Sequence, residues 1–162
     1  MKQIKLDRIN QAILKTLQSH ARTSNMELAE KVNLSPSACL QRTKALEDGG
    51  YIRKYMAAIN LDAISEHVLA YVMLKLRDHA PHKKDEFERH VQRYEELIDC
   101  LKVDGEYNYI ALACCSTVED LDAFRDRMLT ENSNLQQVSC QVVLAKTKWF
   151  AGYPLESLRW RS

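Results

Sequence analysis

Ser24-Asn25-Met26-Glu27-Leu28-Ala29, followed by Val32-Asn33-Leu34-Ser35-Pro36-Ser37-Ala38-Cys39-Leu40-Gln41-Arg42, decides the fold of the first part of this chain. Ser24 with Glu27 three residues on is a capping box, in which two N–H groups at a helix start are satisfied reciprocally. Ser35-Pro36 is a second start signal, an N-cap residue followed by proline at the first helical position. Between them Asn33 tolerates the left-handed backbone needed to leave a helix, and Leu34 can plug the corner. The later helix is predicted to run to about Asp48, where Gly49-Gly50 ends it. A longer helix precedes both, opened by Asp7 as N-cap and carrying Leu6, Ile9, Ile13, Leu14 and Leu17 at helical spacing. Two short helices across a four-residue corner, behind a leading helix, make a helix-turn-helix.

The wheel of the helix after Pro36 gives that motif a chemistry. At 100° per residue Cys39, Thr43 and Leu46 share one face and are predicted to point to the core. Ser37, Gln41 and Lys44 cluster opposite, flanked by Ala38 and Arg42. Small, amide and cationic side chains are the types that contact base edges and phosphates. No carboxylate occurs in residues 34–46. Ser37, Ala38, Gln41 and Arg42 are therefore expected in the major groove, and Lys44, Arg53 and Lys54 on phosphates. Residues 51–60 read as an extended segment rich in β-formers, its basic start suited to a wing and its apolar remainder to pairing with another chain.

The charge distribution agrees. Residues 1–60 carry five more Lys and Arg than Asp and Glu, whereas residues 61–162 carry four fewer. The first part is thus able to meet a polyanion. The expected boundary places a DNA-binding domain at 1–60 and a second domain at 61–162, with a helical turn at Leu61-Asp62-Ala63-Ile64.

The second part alternates between periods of two and 3.6. An apolar strand at 68–77 precedes a helix that starts at Pro81-His82 with the stripe Phe87, Val91, Tyr94 and Leu97 or Ile98. Strands follow at 98–104 and 108–115, joined through Gly105-Glu106-Tyr107. Ser116 with Glu119 is predicted to cap another helix, with the stripe Leu121, Phe124 and Met128, and a last strand covers 138–148. The order β-α-β-β-α-β is the ferredoxin-like split βαβ, a sheet covered by helices on one face. Tyr71, Met73, Leu101, Val103, Tyr109, Ala111, Ala113 and Val143 are expected on the other face, too apolar for open water. A second copy of the sheet would cover it, so at least a dimer is expected.

Other classes are excluded or disfavoured. The longest unbroken apolar run is seven residues, 68–74, too short to span a bilayer. The first residues lack the apolar core of a signal peptide, and a cytoplasmic location is expected. Five cysteines form an odd set without a Cys-x-x-Cys pair, so free thiols acting as small hydrophobes are expected. Of His79, His82 and His90, the first two fall in a solvated loop beside Lys83 and Lys84, and neither a metal site nor a cofactor is expected. No catalytic set emerges.

These residues resemble the Lrp/AsnC family of leucine-responsive and asparagine regulators. The resemblance is carried by Leu6-Asp7-Arg8-Ile9, the two segments quoted first, Leu46-Glu47 and Gly50-Tyr51-Ile52. It continues in Gly105-Glu106-Tyr107-Asn108-Tyr109, which is similar to the family's Gly-Asp-Phe/Tyr-Asp-Tyr loop, and near the end in Lys148 with Pro154-Leu155. It implies a winged helix-turn-helix followed by a ferredoxin-like effector domain. It also implies double-stranded DNA as partner, an amino acid as effector, and dimers that build into octamers or related assemblies.

By position it places the DNA-binding motif at residues 25–44, adding Asn25 and Ser35 to the contact set, and the effector loop at Gly105, Glu106, Tyr107, Asn108 and Tyr109. In that reading the backbone at Gly105 cradles a carboxylate. Tyr107 and Tyr109 wall a side-chain pocket, and Asn108 hydrogen-bonds the ligand. The chain departs from the family at Asn108, where Asp is usual, and at Phe150-Ala151, in place of paired threonines. The tail at 156–162, with Trp160 between Arg159 and Arg161, is unassigned. A DNA-compacting architectural protein and a siroheme-decarboxylase-like enzyme of the same architecture are the alternatives.

Overall fold

The computed structural model describes residues 4–161, which divide into two compact units, each described by itself. One comprises residues 4–58 with 148–161, the other residues 59–147. The tail expected with the second domain therefore packs in the first.

The first unit holds α1 (Arg8–Ser19), α2 (Asn25–Lys31) and α3 (Pro36–Asp48). Asp7 caps α1 by accepting from the Asn10 N–H at 2.8 Å. Ser24 and Glu27 close the capping box of α2. Ser35 caps α3 with Pro36 in its first turn. Asn33 leaves α2 at φ 53°, the left-handed conformation anticipated for the corner, and Gly50 at φ 72° turns the chain beyond α3. Ile13, Leu17, Leu28, Ala29, Val32, Cys39 and Leu46 form the small core, with Leu6, Ile9, Leu34, Tyr51 and Ile52 packed against it. Residues 53–60, expected as an extended segment, carry neither helix nor strand within this chain.

The tail packs on α1. Gln18 and Tyr153 exchange two hydrogen bonds, the Gln18 amide donating to the Tyr153 carbonyl and the Tyr153 N–H donating to Gln18 Oε1, each at 2.9 Å. Lys15 pairs with Glu156 at 2.6 Å. Gly152 sits at φ +104°, and a Cβ there would lie 2.8 Å from the Gln18 side chain. Only glycine suits such an approach at that backbone angle.

The second unit is a four-stranded antiparallel sheet of β1 (Val68–Leu76), β2 (Leu97–Lys102), β3 (Tyr109–Cys115) and β4 (Leu135–Val142), in the order β2-β3-β1-β4. Helices α4 (Pro81–Val91) and α5 (Val118–Glu131) supply Phe87, Val91, Leu121, Phe124 and Met128 to the core on one face. This is the ferredoxin-like arrangement that the alternation predicts. Two corrections concern register. Thr117 with Asp120, not Ser116 with Glu119, caps α5. Tyr109, Ala111 and Ala113, expected on the face away from the helices, are buried in the helix-side core with Ala70, Val72 and Leu74. Pairing puts Val72 opposite Ala111 and Tyr71 opposite Leu112, and a shift of one residue moves every side chain of a strand to the other face. The residues of β3 that share the outer face with Tyr71, Met73 and Leu101 are Ile110 and Leu112.

Candidate nucleic-acid interface and effector loop

The outward side of α3 is built from its N-terminus. The Ser35 hydroxyl accepts from the Ala38 N–H at 3.3 Å and lies 3.2 Å from the Ser37 hydroxyl. Asn25 donates from its amide to the Pro36 carbonyl at 2.8 Å and so ties the start of α2 to the first turn of α3. Ser35 and Asn25, both placed in the DNA-contact set by position, thus build the corner. Ser37, Gln41 and Lys44 are exposed on one side of α3, Ala38 is half-buried, and Cys39 and Leu46 are fully buried opposite. Arg53 and Lys54 are exposed beyond the helix.

Arg42 lies differently. Its Nη1 donates to Asp7 Oδ2 at 2.8 Å and to Asn10 Oδ1 at 3.1 Å, so the guanidinium faces α1. The Asn10 N–H and the Arg42 guanidinium hold the Asp7 carboxyl below the usual carboxylate range. The wheel missed Leu40, exposed on α3. It falls off the buried stripe of Cys39 and Leu46, which was its available signal, and an apolar side chain there suits a thymine methyl.

In the second unit the hairpin between β2 and β3 carries the glycine loop. Gly105 has φ +151° and nothing within 4 Å of where a Cβ would sit. Glu106 is exposed and Tyr107 half-buried. Asn108 is stitched to the end of β1: its N–H donates to the Leu74 carbonyl at 2.9 Å, and its Oδ1 accepts from the Leu76 N–H at 2.8 Å. Its amide nitrogen lies 3.5 Å from His79 Nδ1. In the sequence His79 is a loop residue, and its approach to Asn108 depends on the pairing of β1 with β3.

Tyr109 is 3% exposed, turned from the loop into the helix-side core against Phe87, and donates to Glu88 Oε1 at 2.7 Å. Burial and Glu88 push its hydroxyl well above the ordinary phenol range. Lys102, 2.8 Å from the same oxygen, and the Tyr109 hydroxyl hold Glu88 below the usual carboxylate range. Tyr109 therefore anchors the hairpin. A cavity of about 620 Å³ is lined by His90, Arg93, Tyr94, Glu95, Glu96, Arg127 and Glu131, and residues 105–109 do not line it.

A capped helix-turn-helix whose last helix carries no carboxylate before Glu47, on a chain that also carries a βαββαβ domain, defines a DNA-binding regulator with a ligand-binding domain. The winged helix-turn-helix DNA-binding family matches residues 6–53, and the Lrp/AsnC ligand binding domain matches residues 69–150. Leucine-responsive regulatory proteins of Escherichia coli and Salmonella typhimurium are each 38% identical over 120 residues, covering 74% of this chain and 71% of theirs. Among solved structures, a transcriptional regulator from Neisseria meningitidis in complex with L-Met is 30% identical, with a TM-score of 0.81, covering 93% of this chain and 97% of that one. A feast or famine regulatory protein from M. tuberculosis complexed with L-methionine is 26% identical, with a TM-score of 0.82, covering 92% of this chain and 99% of that one. The chain belongs to the Lrp/AsnC family of DNA-binding transcriptional regulators. These relatives are regulators, which sets the enzyme alternative aside. Among the described residues no helix is long and apolar enough to cross a membrane.

Proposed function

We propose that this protein is a cytoplasmic regulator that reads a specific DNA sequence through α3 and is modulated by an amino acid bound at the Gly105 loop. The observation that carries the reading is the exposed face of α3, where Ser37, Gln41 and Lys44 lie together without a carboxylate between residues 34 and 46. Ser37, Ala38 and Gln41 enter the major groove, while Lys44, Arg53 and Lys54 hold phosphates. Asn25 and Ser35 keep the corner in shape behind them.

At the loop, backbone N–H groups around Gly105 take the ligand carboxylate. Glu106 offers a partner to its ammonium, and Tyr107 borders its side chain. Asn108 and Tyr109 hold the loop from behind. The bound methionine of two relatives supports an amino acid as the ligand class. The chain works as a homodimer or a larger assembly, because Tyr71 and Leu101 stand about half exposed on the outer face of the sheet.

The test is selection of duplexes from a random pool by the full chain, with a thermal-shift screen of the twenty amino acids. Gln41→Ala is expected to relax preference at one base pair by about 1–3 kcal/mol. Lys44→Ala is expected to weaken all sequences alike and to reduce the salt slope by about one. An amino acid at roughly 100 times its dissociation constant stabilises the native state by about 2.7 kcal/mol. No enriched sequence and no stabilising amino acid would overturn the reading.

A further inference from the structure

The recognition helix has to be held at a fixed rotation, because turning α3 by a few tens of degrees would replace Gln41 by a neighbour at the groove. Apolar packing through Cys39 and Leu46 sets its depth. Rotation about the helix axis needs a directional contact off that stripe, and α3 has one toward α1. Arg42 lies beside Leu46 on the wheel, on the flank of the buried stripe, and reaches Asp7 and Asn10 with a single nitrogen.

Its two acceptors are themselves fixed. Asp7 spends its other oxygen, Oδ1, on the N-cap bond from the Asn10 N–H. Asn10, 5% exposed, donates its amide to the Lys5 carbonyl at 2.8 Å. The residues that start α1 therefore also grip α3, across 35 positions of sequence in the case of Asp7. The Arg42 and Asp7 side chains remain about one-third exposed, so the pair is desolvated only in part and its value lies in geometry more than in energy.

We infer that Arg42 is a positioning residue for DNA recognition, fixing the rotation of α3 through Asp7 and Asn10 while Ser37, Gln41 and Lys44 make the contacts. This rests on the DNA reading above and changes the role of one residue within it. A base-reading arginine spends its donors on a guanine edge, and a phosphate-bound arginine releases a counterion. An arginine that acts through α1 does neither, and its loss degrades every base contact together.

The experiment uses the full chain, a duplex that the wild-type protein enriches from a random pool, and a duplex of scrambled sequence. Arg42→Ala is expected to lower affinity for the enriched duplex at least tenfold and to shrink the ratio of enriched to scrambled binding. The loss should spread over all contacted base pairs, and the slope of log affinity against log salt should stay within half a unit of wild type. Asp7→Asn keeps an N-cap acceptor but removes the charge that holds Arg42. It should reproduce the loss of selectivity, and the double variant should be little worse than either single one.

A slope reduced by about one would make Arg42 a phosphate contact, and a loss confined to one base pair would make it a reader. Either overturns the proposal, as does Asp7→Asn binding like wild type or adding fully to Arg42→Ala. Far-UV circular dichroism and hydrogen exchange in α3 identify a variant that has simply unfolded, and unfolding of both singles would make the pair a fold determinant, against the proposal. Should the wild-type chain enrich no sequence at all, the DNA reading falls first and this inference with it.

Discussion

The two units are held together in different ways. The sheet unit buries sixteen side chains in one continuous core, including Leu74, Leu76 and Met128, each at or near zero exposure. The helical unit buries seven and relies on polar latches: the capping box of α2, the Asn25 bond to Pro36, the Arg42 grip on Asp7 and Asn10, and the tail on Gln18. An apolar core is nondirectional and tolerates small rotations of its parts, whereas hydrogen bonds weaken steeply once misaligned. In the helical unit, which has to present side chains at a set angle, directional contacts supplement a small apolar core; in the sheet unit the polar contacts, such as Tyr109 on Glu88, accompany a large one. The sheet unit should then fail by loss of volume and the helical unit by loss of single polar atoms.

The largest effect is expected from Leu74→Ala in the sheet core, a loss of about 2–5 kcal/mol in urea denaturation. A loss below 1 kcal/mol there would break the contrast. Gly152→Val combines a strained backbone at φ +104° with a Cβ 2.8 Å from Gln18. It should release the tail at a cost of about 1–3 kcal/mol. Trp149 and Trp160 are the chain's two tryptophans and both lie in the tail, so fluorescence reads its release directly.

Ser24→Ala opens the capping box and should cost the helical unit about 1 kcal/mol while the sheet transition stays in place. The smallest effect is acid sensitivity. Asp7 has a folded pKa below its unfolded value, so its contribution is present above the ordinary carboxylate range and is lost as pH falls through the lowered value. Denaturation of Asp7→Asn across that acid limb should run flatter than wild type.

Much of the helical unit was legible because its signals are local. Ser24 with Glu27, Asn33, and Ser35 with Pro36 each act within four residues, and each does in the structure what its chemistry dictates. Where two local signals overlap, as at Ser116-Thr117-Val118-Glu119-Asp120, the frame slipped by one residue. The phase of β3 was not legible, since Tyr109, Ala111 and Ala113 on one side and Ile110 and Leu112 on the other are both apolar. Only pairing with β1 chooses between them. Arg42 reads from sequence as a major-groove residue, whereas its guanidinium turns to Asp7, 35 residues away, and nothing near Arg42 announces that partner. The approach of His79 to Asn108 and the docking of the tail on Gln18 were hidden for the same reason.

The tail's return to α1 has a consequence for how the protein is made. At a synthesis rate of roughly 5–20 residues per second, residues 49–147 take on the order of 5–20 s to appear after α3 is complete. Throughout that interval the three helices exist without Tyr153 and Glu156, so Gln18 and Lys15 have only water for partners. A ribosome-bound chain halted before residue 148 carries α1 without the tail that packs on it. A released chain that ends at residue 147 and the full chain should differ in how readily a protease cuts at Arg22, just beyond the end of α1.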